Sequence, residues 1–261
     1  MNFIIDTLIR FIIIYFIFGL VLFFSQKSMI YYPDNQSFEN CSGFIDYQKM
    51  NFNGTRFYYK QNSLDNVIVY YHGNAGSSCD RSYFKSFFEQ SNSSVIFVEY
   101  AGYSNDNIKP SKKLILQDVD NINSFVKENS FKNVIVYGQS IGSGAASYHS
   151  SIGDVNSLIL VGSFSSLDDI AQSKYIIYPA SLLLREKYDN AEWLQGFEGN
   201  VIILHGDNDK LIPHKFSQKL FNEITTEKKE YILISGKGHN DIWNSPVFRE
   251  KLVEFINKVQ N

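Results

Sequence analysis

Hydrophobic positions follow three successive patterns along this chain. From Phe11 to Phe24 every residue except Gly19 is apolar or aromatic, and the stretch reaches back to Phe3, broken only by Asp6, Thr7 and Arg10. Counted from Leu8 to Phe24 it is 17 residues long, at the short end of the roughly 17–25 that cross a bilayer. A helix buried in the soluble core fits this segment poorly, because it is apolar on all sides. Arg10 can snorkel to the interface, and Tyr31 and Tyr32 suit the headgroup zone. Ser25-Gln26-Lys27-Ser28 lacks the small-x-small pattern of a signal-peptide cleavage site. These features predict a retained anchor over 1–27 that meets the membrane through residues 8–24, in a single-pass protein. Arg10 before the span and Lys27 after it nearly cancel, so sidedness is not encoded by charge.

The second pattern is polar. Residues 28–45 are rich in Ser, Asn and Gln and read as a neck. The third pattern fills residues 46–261. Asp46–Phe52 and Thr55–Lys60 flank Asn53-Gly54, a dipeptide suited to the positive φ angles of a two-residue hairpin. Continuous apolar runs follow at Val67–Tyr71, Ser94–Glu99, Asn133–Tyr137, Leu158–Val161, Val201–His205 and Tyr231–Ile234. Helical spacing separates them. Ser111–Asn129 carries Ile115, Val119, Ile122 and Val126 on one face, with Ser111 as N-cap. Further helices are expected after Asp80, from Ser140, after Pro213 and after Pro246. Buried strands alternating with helices predict an α/β fold with a mostly parallel sheet covered on both faces. In such sheets chemistry gathers at the carboxyl ends of the strands.

Composition narrows the function. A chain of 261 residues, 44% hydrophobic and 20% charged, with a net charge of -3, has no basic surplus for binding nucleic acid. Cys41 and Cys79 are too few for a disulfide framework or a four-cysteine zinc site, and read as thiols, or as one bridge in an oxidising compartment. Sequons at Asn35, Asn40, Asn53 and Asn92 decide nothing, since a chain this rich in Asn, Ser and Thr acquires roughly three by chance.

The candidate chemistry begins at Gly138-Gln139-Ser140-Ile141-Gly142, a G-x-S-x-G between a strand and a helix. Ser140 must take a strained turn that lifts its hydroxyl clear of the sheet, and side chains at Gly138 or Gly142 would collide with neighbouring backbone. The Ile141 amide then faces the position where an oxyanion develops. A hydroxyl needs a base. Of five histidines, His239 stands in Gly236-Lys237-Gly238-His239, beyond the last strand, where flanking glycines let the loop fold back. His72 and His205 precede glycines at strand ends and read as loop-shaping, whereas His149 and His214 fall on helices. The base needs a carboxylate. Asp209, at the apex of His205-Gly206-Asp207-Asn208-Asp209, is the first candidate, with Asp207 holding the turn and Asp168 or Asp169 as the alternative. A second oxyanion donor is expected from the loop His72-Gly73-Asn74-Ala75-Gly76, at the amide of Asn74 with Ala75 beside it. No metal or cofactor is implied.

From about residue 45 onward the chain resembles the serine α/β-hydrolases, with Ser140, Asp209 and His239 in that family's chain order. The N-terminal span, Tyr31-Tyr32-Pro33, the His72–Gly76 loop and Tyr137–Gly142 are similar to membrane-anchored ABHD-type hydrolases, a group that includes enzymes removing palmitoyl groups from proteins. Ala101 departs from the arginine usual there. The resemblance implies hydrolysis of an acyl ester or thioester on a small-molecule, lipid or protein substrate, with a small cap insert at about 163–200. A serine peptidase of the same fold and a catalytically silent scaffold are the competing readings.

Overall fold

The computed structural model describes residues 2–260. Helix α1 covers Asn2–Ile30. With an 18-residue window of mean hydropathy 2.5 within Phe3–Ile30, it is long and apolar enough to cross a membrane. The chain then runs through β1 (Gln48–Phe52), β2 (Thr55–Lys60), β3 (Asn66–Tyr71), α2 (Lys85–Phe88) and β4 (Ser94–Glu99). It continues through α3 (Lys112–Glu128), β5 (Asn133–Gln139), α4 (Gly142–Ile152) and β6 (Ser157–Val161). After β6 come α5 (Leu167–Lys174), α6 (Ala180–Leu183), α7 (Asn190–Trp193), β7 (Asn200–Gly206), α8 (Lys215–Glu223), β8 (Lys229–Ile234) and α9 (Pro246–Gln260). The helix expected after Asp80 is mostly a 3₁₀ segment, Cys79–Phe84, leading into α2.

Among the described residues one eight-stranded sheet has the order β1-β2-β4-β3-β5-β6-β7-β8. The β1–β2 hairpin pairs antiparallel and joins β4 antiparallel. Strands β3 to β8 run parallel to one another. All their carboxyl ends therefore open on one rim, and the loops after β3, β5, β7 and β8 meet there.

Period-two alternation fills both faces at once. Val67, Val69 and Tyr71 of β3, with Val134 and Val136 of β5, pack on the side of Val119, Ala145 and Leu220. Their alternates Ile68, Tyr70, Ile135 and Tyr137 meet Phe84, Phe88, Phe248 and Leu252 on the other side. Each such side chain contributes roughly 1.5–3 kcal/mol of burial, which is why the central strands read as continuous apolar runs. Ser111 caps α3 as expected, its hydroxyl accepting from the Leu114 amide.

Residues 28–45 are not a free neck. Tyr31 is buried and its hydroxyl bonds Glu186 Oε2 at 2.8 Å and the Tyr188 hydroxyl at 3.0 Å. Phe38 and Phe44 sit in the core against Tyr58. Polar composition concealed this because a few widely spaced aromatic residues carry the packing. Cys41 and Cys79 are joined as a disulfide, with Cα atoms 5.8 Å apart, rather than standing as thiols. The bond closes a loop with a sequence separation of 38, which in the chain-entropy account stabilises by roughly 3–4 kcal/mol. Reduction, or a paired Cys41→Ser and Cys79→Ser change, is expected to lower thermal stability by that order. Unfolding followed with and without reductant measures it; identical transitions would show two free thiols.

Candidate active site

The turn after β5 sets the geometry. Ser140 has φ +54°, a left-handed conformation that costs a β-carbon-bearing residue energy. Its amide donates to the Val161 carbonyl at 2.8 Å, which pins the turn to β6. Glycines on either side make it possible. A Cβ at Gly138 would strike the Gly142 carbonyl and Ala146, and one at Gly142 would strike the carbonyl oxygens of Tyr71 and His72. The Ile141 backbone lies at the start of α4, and its amide donates to no protein acceptor among the described residues.

Three side chains from three strand ends stand in a row. The Ser140 hydroxyl lies 2.9 Å from His239 Nε2, and His239 Nδ1 lies 2.6 Å from Asp209 Oδ2. Donation from Nδ1–H to the carboxylate leaves Nε2 as an acceptor facing the hydroxyl. The Asp209 side chain is 1% exposed and that of His239 8%. Gly162, at φ +56°, leaves room for the imidazole, since a Cβ there would come within 3.1 Å of His239 Cε1.

The loops after β7 and β8 are fastened to one another. The Asp207 amide donates to the Ile234 carbonyl, the Asn208 amide to the Lys237 carbonyl, and Asp207 Oδ1 accepts from the Gly236 amide at 2.7 Å. A Cβ at Gly206 would meet the Lys237 carbonyl. Asp207 thus holds the neighbouring loop, whereas Asp209 holds its own turn through Oδ1, which accepts from Leu211 and Ile212 amides at 2.9 and 2.8 Å. Asp168 and Asp169 lie away from this row and pair with Lys187 and Lys219.

His205 has a larger part than loop shaping. Its Nε2 lies 3.1 Å from Asp209 Oδ2 and 2.8 Å from the Ile212 carbonyl, so Nε2–H donates to acceptors on both sides. Burial alone would raise the Asp209 carboxyl, but hydrogen bonds from His205 and His239 outweigh it and hold the group well below the usual carboxylate range. The spacing of four residues from a strand-end histidine to the candidate acid was the available signal in the sequence.

Gly73, which precedes Asn74, packs beside Ser140: a Cβ on it would lie 3.3 Å from Ser140 Cβ. No protein acceptor among the described residues takes the Asn74 backbone amide. Ala75 departs from expectation: its amide donates to the Asn74 side-chain Oδ1 at 2.8 Å and is spent there. His72 is buried under this loop, with Nδ1 2.7 Å from the Gly73 carbonyl and Nε2 3.5 Å from Glu99 Oε1. His149 is buried against the Tyr71 hydroxyl, and burial lowers its imidazole to about 3. His214 marks the start of α8. Ala101 donates its amide to Asp118. Among the described residues no group of three His, Cys, Asp or Glu side chains is arranged to hold a metal ion.

Residues 57–166 match a family model described as alpha/beta hydrolase of unknown function (DUF1057). YfhR of Escherichia coli, an uncharacterized protein, is 28% identical over 73% of this chain and 69% of its own length. An esterase of Pyrococcus furiosus superposes with a TM-score of 0.70 at 14% identity, covering 89% of this chain and 98% of the esterase. A monoacylglycerol lipase of Paleococcus ferrophilus gives 0.60 at 14% identity, over 78% and 98%.

The held-down carboxyl has a consequence for stability. Its folded value lies below the 3.8 of an unperturbed aspartate, so its contribution is present above pH ~4 and is lost as pH falls through the folded value. The stability gap between the native chain and Asp209→Asn is expected to be widest near neutrality and to shrink below pH ~4. Denaturant unfolding at stepped pH measures it; a gap independent of pH would contradict the assignment of charge.

Proposed function

As a member of the α/β-hydrolase superfamily, this chain, we propose, is a membrane-anchored serine hydrolase that cleaves acyl esters or thioesters. The observation that carries the reading is the unbroken contact from Ser140 through His239 to Asp209, at 2.9 and 2.6 Å. The esterase and lipase named among the structural neighbours support an ester as substrate. Ser140 attacks the acyl carbonyl, its Oγ forming the new bond while its proton passes to His239 Nε2. The carbonyl oxygen becomes an oxyanion facing the free amides of Ile141 and Asn74, and loss of one such donor costs roughly 3–4 kcal/mol in studied enzymes. His239 returns the proton to the departing alcohol or thiol as the bond to carbon breaks. Water, deprotonated by the same nitrogen, then releases the acid and restores Ser140. Asp209 remains ionised and holds the imidazole in orientation. His205 acts as a positioning residue by donating to the same carboxylate oxygen.

Residues 1–27 serve as the anchor in this reading, and residues 46–261 carry the hydrolase with its insert at about 163–200. The ordered segment 28–45 belongs with the hydrolase rather than between the two. Whether the leaving group is oxygen or sulfur makes no difference to the groups at hand, since neither needs more than one returned proton.

Ser140→Ala is expected to abolish labelling by a fluorophosphonate probe and to lower kcat/KM on short p-nitrophenyl esters at least ~10⁴-fold, with the circular dichroism spectrum unchanged. Labelling that survives the substitution would place the nucleophile elsewhere. For the anchor, the mature chain is expected to keep its first 24 residues and to stay with membranes through alkaline carbonate extraction. A mature protein beginning after Ser25, found by mass spectrometry, would identify the segment as a cleaved signal.

A further inference from the structure

The loop after β3 has no regular structure of its own to hold its shape. Ala75 and Gly76 take left-handed conformations, at φ +57° and +83°, and such backbone persists only where its surroundings over-determine it. Those surroundings centre on two polar side chains withdrawn from water, His72 at 0% and Glu99 at 1% exposure.

Glu99, the last residue of β4, grips this loop at both ends. Its Oε2 accepts from the Ser78 amide at 3.1 Å and from the Ser104 hydroxyl at 2.7 Å. Its Oε1 lies 3.5 Å from His72 Nε2, and neither of these two atoms has another partner among the described residues. Two bare acceptors facing one another away from water would be costly, so one proton lies between them.

His72 passes the constraint on to the next peptide. Its Nδ1 lies 2.7 Å from the Gly73 carbonyl oxygen, and a carbonyl only accepts, so Nδ1–H donates. That oxygen belongs to the peptide unit whose N–H is the Asn74 amide. The unit is trans, and in a trans peptide the C=O and N–H point to opposite sides. Holding the oxygen against the imidazole therefore turns the Asn74 amide away from His72, where no protein acceptor among the described residues takes it. The unit begins at Gly73, the glycine packed beside Ser140. The imidazole is itself confined, because the Tyr100 ring centroid lies 4.2 Å from its own and the Tyr100 hydroxyl donates to the His72 carbonyl at 2.9 Å.

We propose that Glu99 and His72 are positioning residues for acyl transfer. The carboxylate fixes the imidazole, and the imidazole fixes the rotation of the peptide that presents the Asn74 amide to the oxyanion. The proposal rests on the acyl-hydrolase reading and deepens it. Neither side chain touches substrate. Rotating this peptide would leave ester binding intact while removing a donor from the transition state, so the loss falls on kcat rather than KM.

Substitutions at His72 separate the two ring nitrogens. The side-chain nitrogen of asparagine sits at the δ position and can replace Nδ1, whereas that of glutamine sits at the ε position and replaces Nε2. The full chain is assayed in detergent micelles on p-nitrophenyl acetate, with turnover normalised to the sites that a fluorophosphonate labels at completion. His72→Gln is expected to lower kcat about 100-fold with KM changed by less than about twofold. His72→Asn should regain at least about tenfold of that loss. A trifluoromethyl ketone takes up Ser140 Oγ at its carbonyl carbon and forms a hemiketal oxyanion. Its affinity should weaken by the same factor as kcat in His72→Gln and in Glu99→Ala. A merely structural role would instead lower the number of labelled sites and leave kcat per site and ketone affinity unchanged. Unchanged kcat per site in His72→Gln, or equal losses in the glutamine and asparagine variants, would overturn the positioning role and leave the hydrolase reading standing. A native chain that neither turns over the ester nor binds the ketone would overturn both.

Discussion

The carboxylate of Asp209 is the constraint on which the rim of this molecule is built. A charge almost wholly withdrawn from water is expensive unless its lone pairs are satisfied, and here four donors converge on it: two backbone amides on one oxygen and two imidazoles on the other. Meeting that demand dictates the course of the chain. The amides of Leu211 and Ile212 must curl back over the end of β7, His205 must face forward from the last positions of the strand, and the loop after β8 must come close enough to deliver His239. The fastening of the β7 and β8 loops through Gly206, Asp207 and Asn208 follows from the same demand. A bulkier residue at 206 would push the second loop outward and leave the carboxylate one donor short.

The strained turn at Ser140 depends on this arrangement in turn. A residue held at positive φ persists only when its surroundings over-determine it. The bond from its amide to Val161 and the close approach of Gly142 to β3 supply that. Because β3, β5, β6, β7 and β8 are parallel in register, the loops bearing Asn74, Ser140, Gly162, Asp209 and His239 emerge on one rim although they span more than 160 positions of the sequence.

Much of this was legible in the residues alone. The central strands announce themselves because they are buried on both faces, and the G-x-S-x-G turn does so because its glycines answer a steric need that no other residue type meets. Chain order and loop glycines pointed to Asp209 and His239. What escaped reading shares a physical character. The segment 28–45 is mostly polar, but its order comes from Tyr31, Phe38 and Phe44, single side chains whose partners lie far away in sequence. The Cys41–Cys79 bond depends on a distance that composition does not encode. Asp207 was expected to hold its own turn, but it fastens the facing loop through Gly236, and Asp209 holds the turn as well as reaching His239. Ala75 lost its part for a similar reason: its amide is claimed by its neighbour's own side chain, a competition one residue long.

That competition explains how α1 and the rim are joined. The Asn74 side chain is fully committed: Oδ1 accepts from the amides of Tyr32 and Ala75 and from the Tyr103 hydroxyl, and Nδ2 donates to Ile30. With its side chain so held, Asn74 has little freedom to rotate. The same bonds fix the end of α1. Gln26 adds two more, donating to the Leu183 carbonyl and accepting from the Arg185 amide, and Tyr31 closes the joint through Glu186 and Tyr188. The apolar helix α1 is therefore not a tether of arbitrary direction. Its direction relative to the sheet is set by the loop that begins at Gly73, the glycine packed beside Ser140.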